Sequence, residues 1–131
     1  MNIRIIAAAI TLAAGAGTAT VAFAHHGWAW TSEDQTELSG TITEVYVGPP
    51  HPVLKVELED KAAWTIDLAN PTQTAASGFD ENSAKAGDKV LVRGHKSLNA
   101  EERRMKAVRI TVEGKRYDLY PDRIVEDGDS H

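Results

Sequence analysis

The chain has 131 residues, 42% of them apolar and 25% charged, a balance that suits one compact domain and leaves no room for a second. Its 14 Lys and Arg stand against 19 Asp and Glu, a formal charge of −5 at pH 7, which argues against a nucleic acid partner because neutralising phosphates takes a concentrated basic face. The absence of cysteine removes disulfides, thiolate nucleophiles, iron–sulfur clusters and Cys-containing zinc sites together.

In chain order, the first segment reads as an address. Arg4 is its only charge; an uncharged apolar stretch runs from Ile5 through Val21 and ends in Ala22-Phe23-Ala24. A positive start, an apolar middle and small residues at the end form the secretory pattern, which places cleavage after Ala24. The Ala, Gly and Thr content makes the stretch weakly apolar for a span of about 20 residues, so no membrane span is expected after cleavage. The expected organisation is a signal peptide over 1–24, a flexible His-rich leader over 25–35, a barrel domain over 36–120 and a disordered tail over 121–131, in a protein that is periplasmic or secreted.

From Thr36 the apolar period becomes two. Leu38, Gly40 and Ile42 share one parity while Val45 and Val47 take the other, so a long first strand carries a bulge near Thr43. Leu54, Val56 and Leu58, then Trp64, Ile66 and Leu68, alternate with polar residues around Asp60-Lys61, which predicts a hairpin. Asn70-Pro71 to Ala86 has no alternation, has Pro at a first helical position and carries Ala75-Ala76 before Gly78, which predicts a short helix. Val90 and Val92 mark the fourth strand, and a polar connection over 96–104 precedes Val108, Ile110 and Val112. The turn Glu113-Gly114-Lys115 then leads to Tyr117, Leu119 and Tyr120. This order predicts a mainly β protein: a small OB-like, partly open barrel of five to six strands, with a short helix between strands three and four.

The chain also resembles a family of small exported bacterial proteins of uncharacterised function. The resemblance rests on His25-His26-Gly27-Trp28, on Pro49-Pro50-His51, and on Gly87-Asp88-Lys89-Val90 running on to Gly94-His95. It departs at Pro49, where Asn is the commoner residue. It implies a periplasmic OB-like barrel and no established activity; the architecture is similar to that of other bacterial periplasmic OB-fold proteins.

The histidines carry the functional expectation. Cleavage after Ala24 leaves His25 with an α-amine and an imidazole on one residue, a pair that chelates Cu²⁺ near neutral pH because the amine loses its proton easily there. His26 adds a second ring. In an OB barrel the connections between strands one and two and between strands four and five border the ligand face, so His51 and His95 are expected near each other, with His95 turned off the core face by alternation from Val92. The leading expectation is therefore a periplasmic metal-binding protein, copper first and zinc second, with His25, His26, His51 and His95 as ligands. It would act as carrier, buffer or sensor, with the metal ion or another periplasmic protein as partner. The alternative is a non-catalytic OB-fold binding module for a peptide, glycan or partner protein, its histidines structural and Trp28, Trp30 and Tyr46 forming an aromatic ligand face. Trp64 alternates with Ile66 and Leu68 and belongs to the core, and His131 is an inert tail residue. No nucleophile elbow, acid pair or phosphate loop is present, so an enzymatic role has little support.

Overall fold

The computed structural model describes residues 27–126. The chain divides into two compact units, Met1–Trp30 and Thr31–His131. Of the first unit only the turn over 27–30 is described, opened by Gly27 at φ +95°.

In the second unit β1 (Thr36–Tyr46), β2 (Val53–Glu57) and β3 (Ala63–Asp67) form a meander. Then α1 (Pro71–Ala76) precedes β4 (Lys89–Lys96), β5 (Arg104–Val112) and β6 (Lys115–Asp118), and a 3-10 turn over Pro121–Arg123 follows. The sheet order is β3-β2-β1-β4-β5-β6, and a parallel β3–β5 pairing joins the two ends of the first five strands. The closing contact spans Thr65↔Arg104, Ile66↔Met105 and Asp67↔Lys106. The barrel expected to be partly open is thus closed, with β6 an extra strand along the second half of β5.

Long β1 serves two partners: residues 36–41 pair with β4 and residues 41–46 with β2. The register slips between Ile42 and Glu44, which makes Thr43 the extra residue of a bulge. That one residue lets Leu38 and Ile42 before it and Val45 after it all turn inward despite their opposite parity. Gly40 sits where the bent strand crosses its neighbour; a Cβ there would lie 2.6 Å from the Glu57 carbonyl oxygen.

The core consists of the inward positions of the strands, with Ile42, Leu54, Ile66, Val92, Met105 and Ile110 all fully buried. Trp64 packs against it half-buried, with Lys96 Nζ 5.5 Å from its ring centroid. In α1, Asn70 caps the helix by accepting from the Gln73 N–H at 2.8 Å, and Pro71 fills the first turn. Beyond it Phe79 is fully buried and meets Tyr117 edge-on, with ring centroids 5.2 Å apart. No helix among the described residues is long and apolar enough to cross a membrane.

Candidate functional site

Register determines which side chains share the outer face. Cross-strand partners lie on the same side of a sheet, so Glu44↔Lys55, Lys55↔Thr65 and Thr65↔Arg104 form one row across β1, β2, β3 and β5. A second row runs Tyr46↔Val53, Val53↔Asp67 and Asp67↔Lys106. These rows, with His51 from the β1–β2 connection, line a groove of about 550 Å³; Lys106 is set back from it. A size of several hundred Å³ is typical of sites for small ligands.

The groove is internally braced. Asp67 is buried and receives both Nε (3.2 Å) and Nη2 (2.6 Å) of Arg104, which holds the guanidinium above its ordinary pKa. Lys55 donates to Thr65 Oγ1 at 2.9 Å. Tyr46 is half-exposed at 47% and its hydroxyl donates to the Pro49 carbonyl, which folds the ring over the Gly48 turn. Gly48 makes room for it, since a Cβ there would stand 2.8 Å from the phenol oxygen. Behind the groove Lys106 is 5% exposed, and burial pushes its ammonium below the ordinary lysine pKa while neighbouring Asp67 pulls the other way. Its Nζ lies 5.6 Å from the Tyr120 ring centroid, and burial raises the Tyr120 phenol.

Of the four expected ligands, His51 and His95 lie among the described residues. His25 and His26 lie outside the described residues, as does His131. His51 lines the groove, and its Nδ1–H is set to donate to the Pro52 carbonyl at 3.0 Å. His95 lies near the end of β4 opposite Lys106, on the outer face as alternation requires, yet it is only 9% exposed. Residues 31 and 32 cover it: Thr31 bridges Ser97, the Ser32 N–H bonds the Lys96 carbonyl at 2.8 Å, and His95 Nδ1 meets the Ser32 carbonyl at 2.9 Å. Alternation reports the side of a strand and is blind to what lies on top of it. Among the described residues no three His, Asp or Glu are grouped to hold a metal ion.

Of the aromatics, Tyr46 is in the groove, while Trp28 and Trp30 are half-buried residues of the first unit. The sequence reading missed Lys55, Asp67 and Arg104 as groove residues. Their signal was present as outward positions flanking Leu54, Ile66 and Met105, but only the register aligns them. A wider hollow of about 900 Å³ on the outer face, between Glu57, Ser39, Leu91 and Thr111, carries neither a histidine nor an aromatic ring.

Barrel order and groove together define a small OB-type barrel with a ligand-sized depression on its β1–β2–β3 face. The chain belongs to a family described as "Family of unknown function (DUF6152)", whose profile matches residues 13–106. That match takes in the groove through Arg104. No curated protein matches the chain.

Proposed function

We propose that the protein is an exported, non-catalytic binding module that holds a small polar ligand in the groove on the outer face of β1, β2 and β3. The supporting observation is the paired rows Glu44–Lys55–Thr65–Arg104 and Tyr46–Val53–Asp67, braced by the Asp67–Arg104 fork and the tethered Tyr46 ring. OB barrels use this face for ligands. Two carboxylates offset two cations within the groove, which disfavours a polyanion such as nucleic acid. Thr65 is engaged by Lys55 and His51 by a carbonyl, an arrangement that suits holding a ligand better than activating a nucleophile. The test is NMR of the ¹⁵N-labelled mature chain titrated with neutral oligosaccharides and short peptides. Shifts should be confined to 44–46, 51–55, 65–67 and 104; shifts elsewhere only, or none, overturn the reading. Sequencing the amino terminus of the exported product should return His25 first, and a retained leader would overturn the export reading.

One feature favours copper as a second reading. His25-His26 at the mature terminus offers an α-amine and two imidazoles. The described barrel adds no cluster to that pair, so the copper reading rests on the terminus itself. Titration should then show one Cu²⁺ per chain starting at His25, weakened at least tenfold when one extra residue precedes it. Equal affinity of the two forms would end it.

A further inference from the structure

We infer that the ligand of this groove is a neutral oligosaccharide, stacked on Tyr46 and held through its hydroxyls by the polar row beside it. The inference rests on the binding-module reading and goes beyond it by choosing among ligand classes. The charges in the groove cancel: Glu44 lies opposite Lys55, and Asp67 is forked by Arg104. A ligand with strong net charge of either sign would find no surplus to pair with. Hydroxyls are different, because each both donates and accepts. The row Glu44, Lys55, Thr65, Arg104 presents an acceptor, a donor, a group that does both, and a donor in sequence across four strands.

Tyr46 supplies the other half of sugar chemistry. Its ring is half-exposed and fixed at its far end by the bond to the Pro49 carbonyl, a rigid flat apolar surface beside a polar row. The C–H face of a pyranose fits such a surface, and a ring held in place beforehand loses little entropy on binding. Topology disfavours the peptide alternative. Extended peptides gain main-chain affinity by adding to a sheet edge, and β2 at the centre of the groove is paired with β1 on one side and β3 on the other. A peptide there would have side-chain contacts only.

The experiment titrates the ¹⁵N-labelled mature chain with cellotetraose, chitotetraose and unblocked tetra-alanine, comparing wild type with Tyr46→Phe, Tyr46→Ala and Gly48→Ala. At least one of the two sugars should shift the amides of 44–46, 53–55 and 65–67. Tyr46→Ala should weaken it roughly tenfold or more, and Tyr46→Phe by less, because the stacking face remains while its tether to the Pro49 carbonyl is lost. Gly48→Ala, whose methyl would press on the Tyr46 hydroxyl and the ring carbons next to it, should weaken binding while the rest of the spectrum stays in place. If tetra-alanine shifts the groove and neither sugar does, the oligosaccharide inference falls while the binding-module reading stands. If no probe shifts the groove, both fall. Binding of sugar unaffected by Tyr46→Ala also overturns the inference.

Discussion

Of the described glycines, Gly94 has the least room for a side chain. A Cβ built there would lie 2.1 Å from the Lys106 carbonyl oxygen and 2.9 Å from the Ala107 Cα, both backbone atoms of the adjoining strand. The cause is the register slip between Arg93 and Gly94, where Val108 is passed over and β5 bulges toward β4. Backbone cannot swing aside as a side-chain tip can, so Gly94→Ala should destabilise the fold by about 2 kcal/mol or more in urea unfolding. A loss under about 0.5 kcal/mol would mean that the slip is not held as described. The same bulge bears on what the sequence made legible among single residues. Thr43 was readable because a parity change from Ile42 to Val45 leaves a mark in the apolar pattern. The β5 bulge also changes parity, from Met105 and Ala107 to Ile110 and Val112, but its extra residue Val108 is apolar and blurs the change. The burial of Arg93 and His95 was equally hidden: Arg93 pairs with Glu37 at 3.1 Å and His95 with the Ser32 carbonyl, contacts made across long sequence separations.

At the scale of elements, the turn entering β4 is closed by one carboxylate and joined to β1 by its backbone. Asp88 accepts from the Lys85 ammonium at 3.0 Å and from the Lys85 backbone N–H at 3.0 Å. Gly87, at φ +99°, sends its N–H to the Ile42 carbonyl at 2.7 Å, and the Asp88 carbonyl receives the Ile42 N–H at 2.8 Å. The turn therefore docks onto β1 one residue before its bulge. The Lys85 side chain first, then its backbone N–H, holds the Asp88 carboxyl below the ordinary aspartate pKa. A depressed native pKa means that the unfolded chain binds the proton more readily. The contribution of Asp88 is then present above about pH 4, the unfolded value, and is lost as pH falls through it to the lower native value. Asp88→Asn should reduce stability at pH 7 and flatten the acid limb of the stability curve, with the two proteins converging at the acid end. Parallel curves from pH 2 to 7 would refute the assignment. This turn and α1 were both visible in advance, because Gly87-Asp88 and Asn70-Pro71 are local signals and their partners lie within a few residues. The parallel β3–β5 closure was not, since a three-residue contact between distant strands has no composition of its own.

For the whole molecule the governing fact is that a chain without cysteine has no disulfide to hold its shape, which puts the weight on packing. Closure at β3–β5 makes the barrel continuous, and Phe79, from the connection after α1, is the largest fully buried side chain within it. Its sequence context of Ser77-Gly78 before and Asp80-Glu81 after looks like an exposed loop, which is why periodicity passes over it. The surroundings show how it is held. Ser77 Oγ bonds the Thr74 carbonyl at 2.6 Å, Asp80 and Ser83 close a tight turn on the far side, and the Tyr117 ring meets Phe79 at 89°. Polar residues on both flanks fix the turns while the ring between them goes inward. Truncating such a ring removes its transfer free energy and leaves a cavity, about 3–5 kcal/mol for Phe→Ala. The margin of a single small domain is about 5–15 kcal/mol, so Phe79→Ala should consume a large part of it. Urea unfolding followed by circular dichroism should show the midpoint fall sharply with the slope unchanged, and a loss below about 1 kcal/mol would show that Phe79 is not part of the packing that keeps the barrel closed.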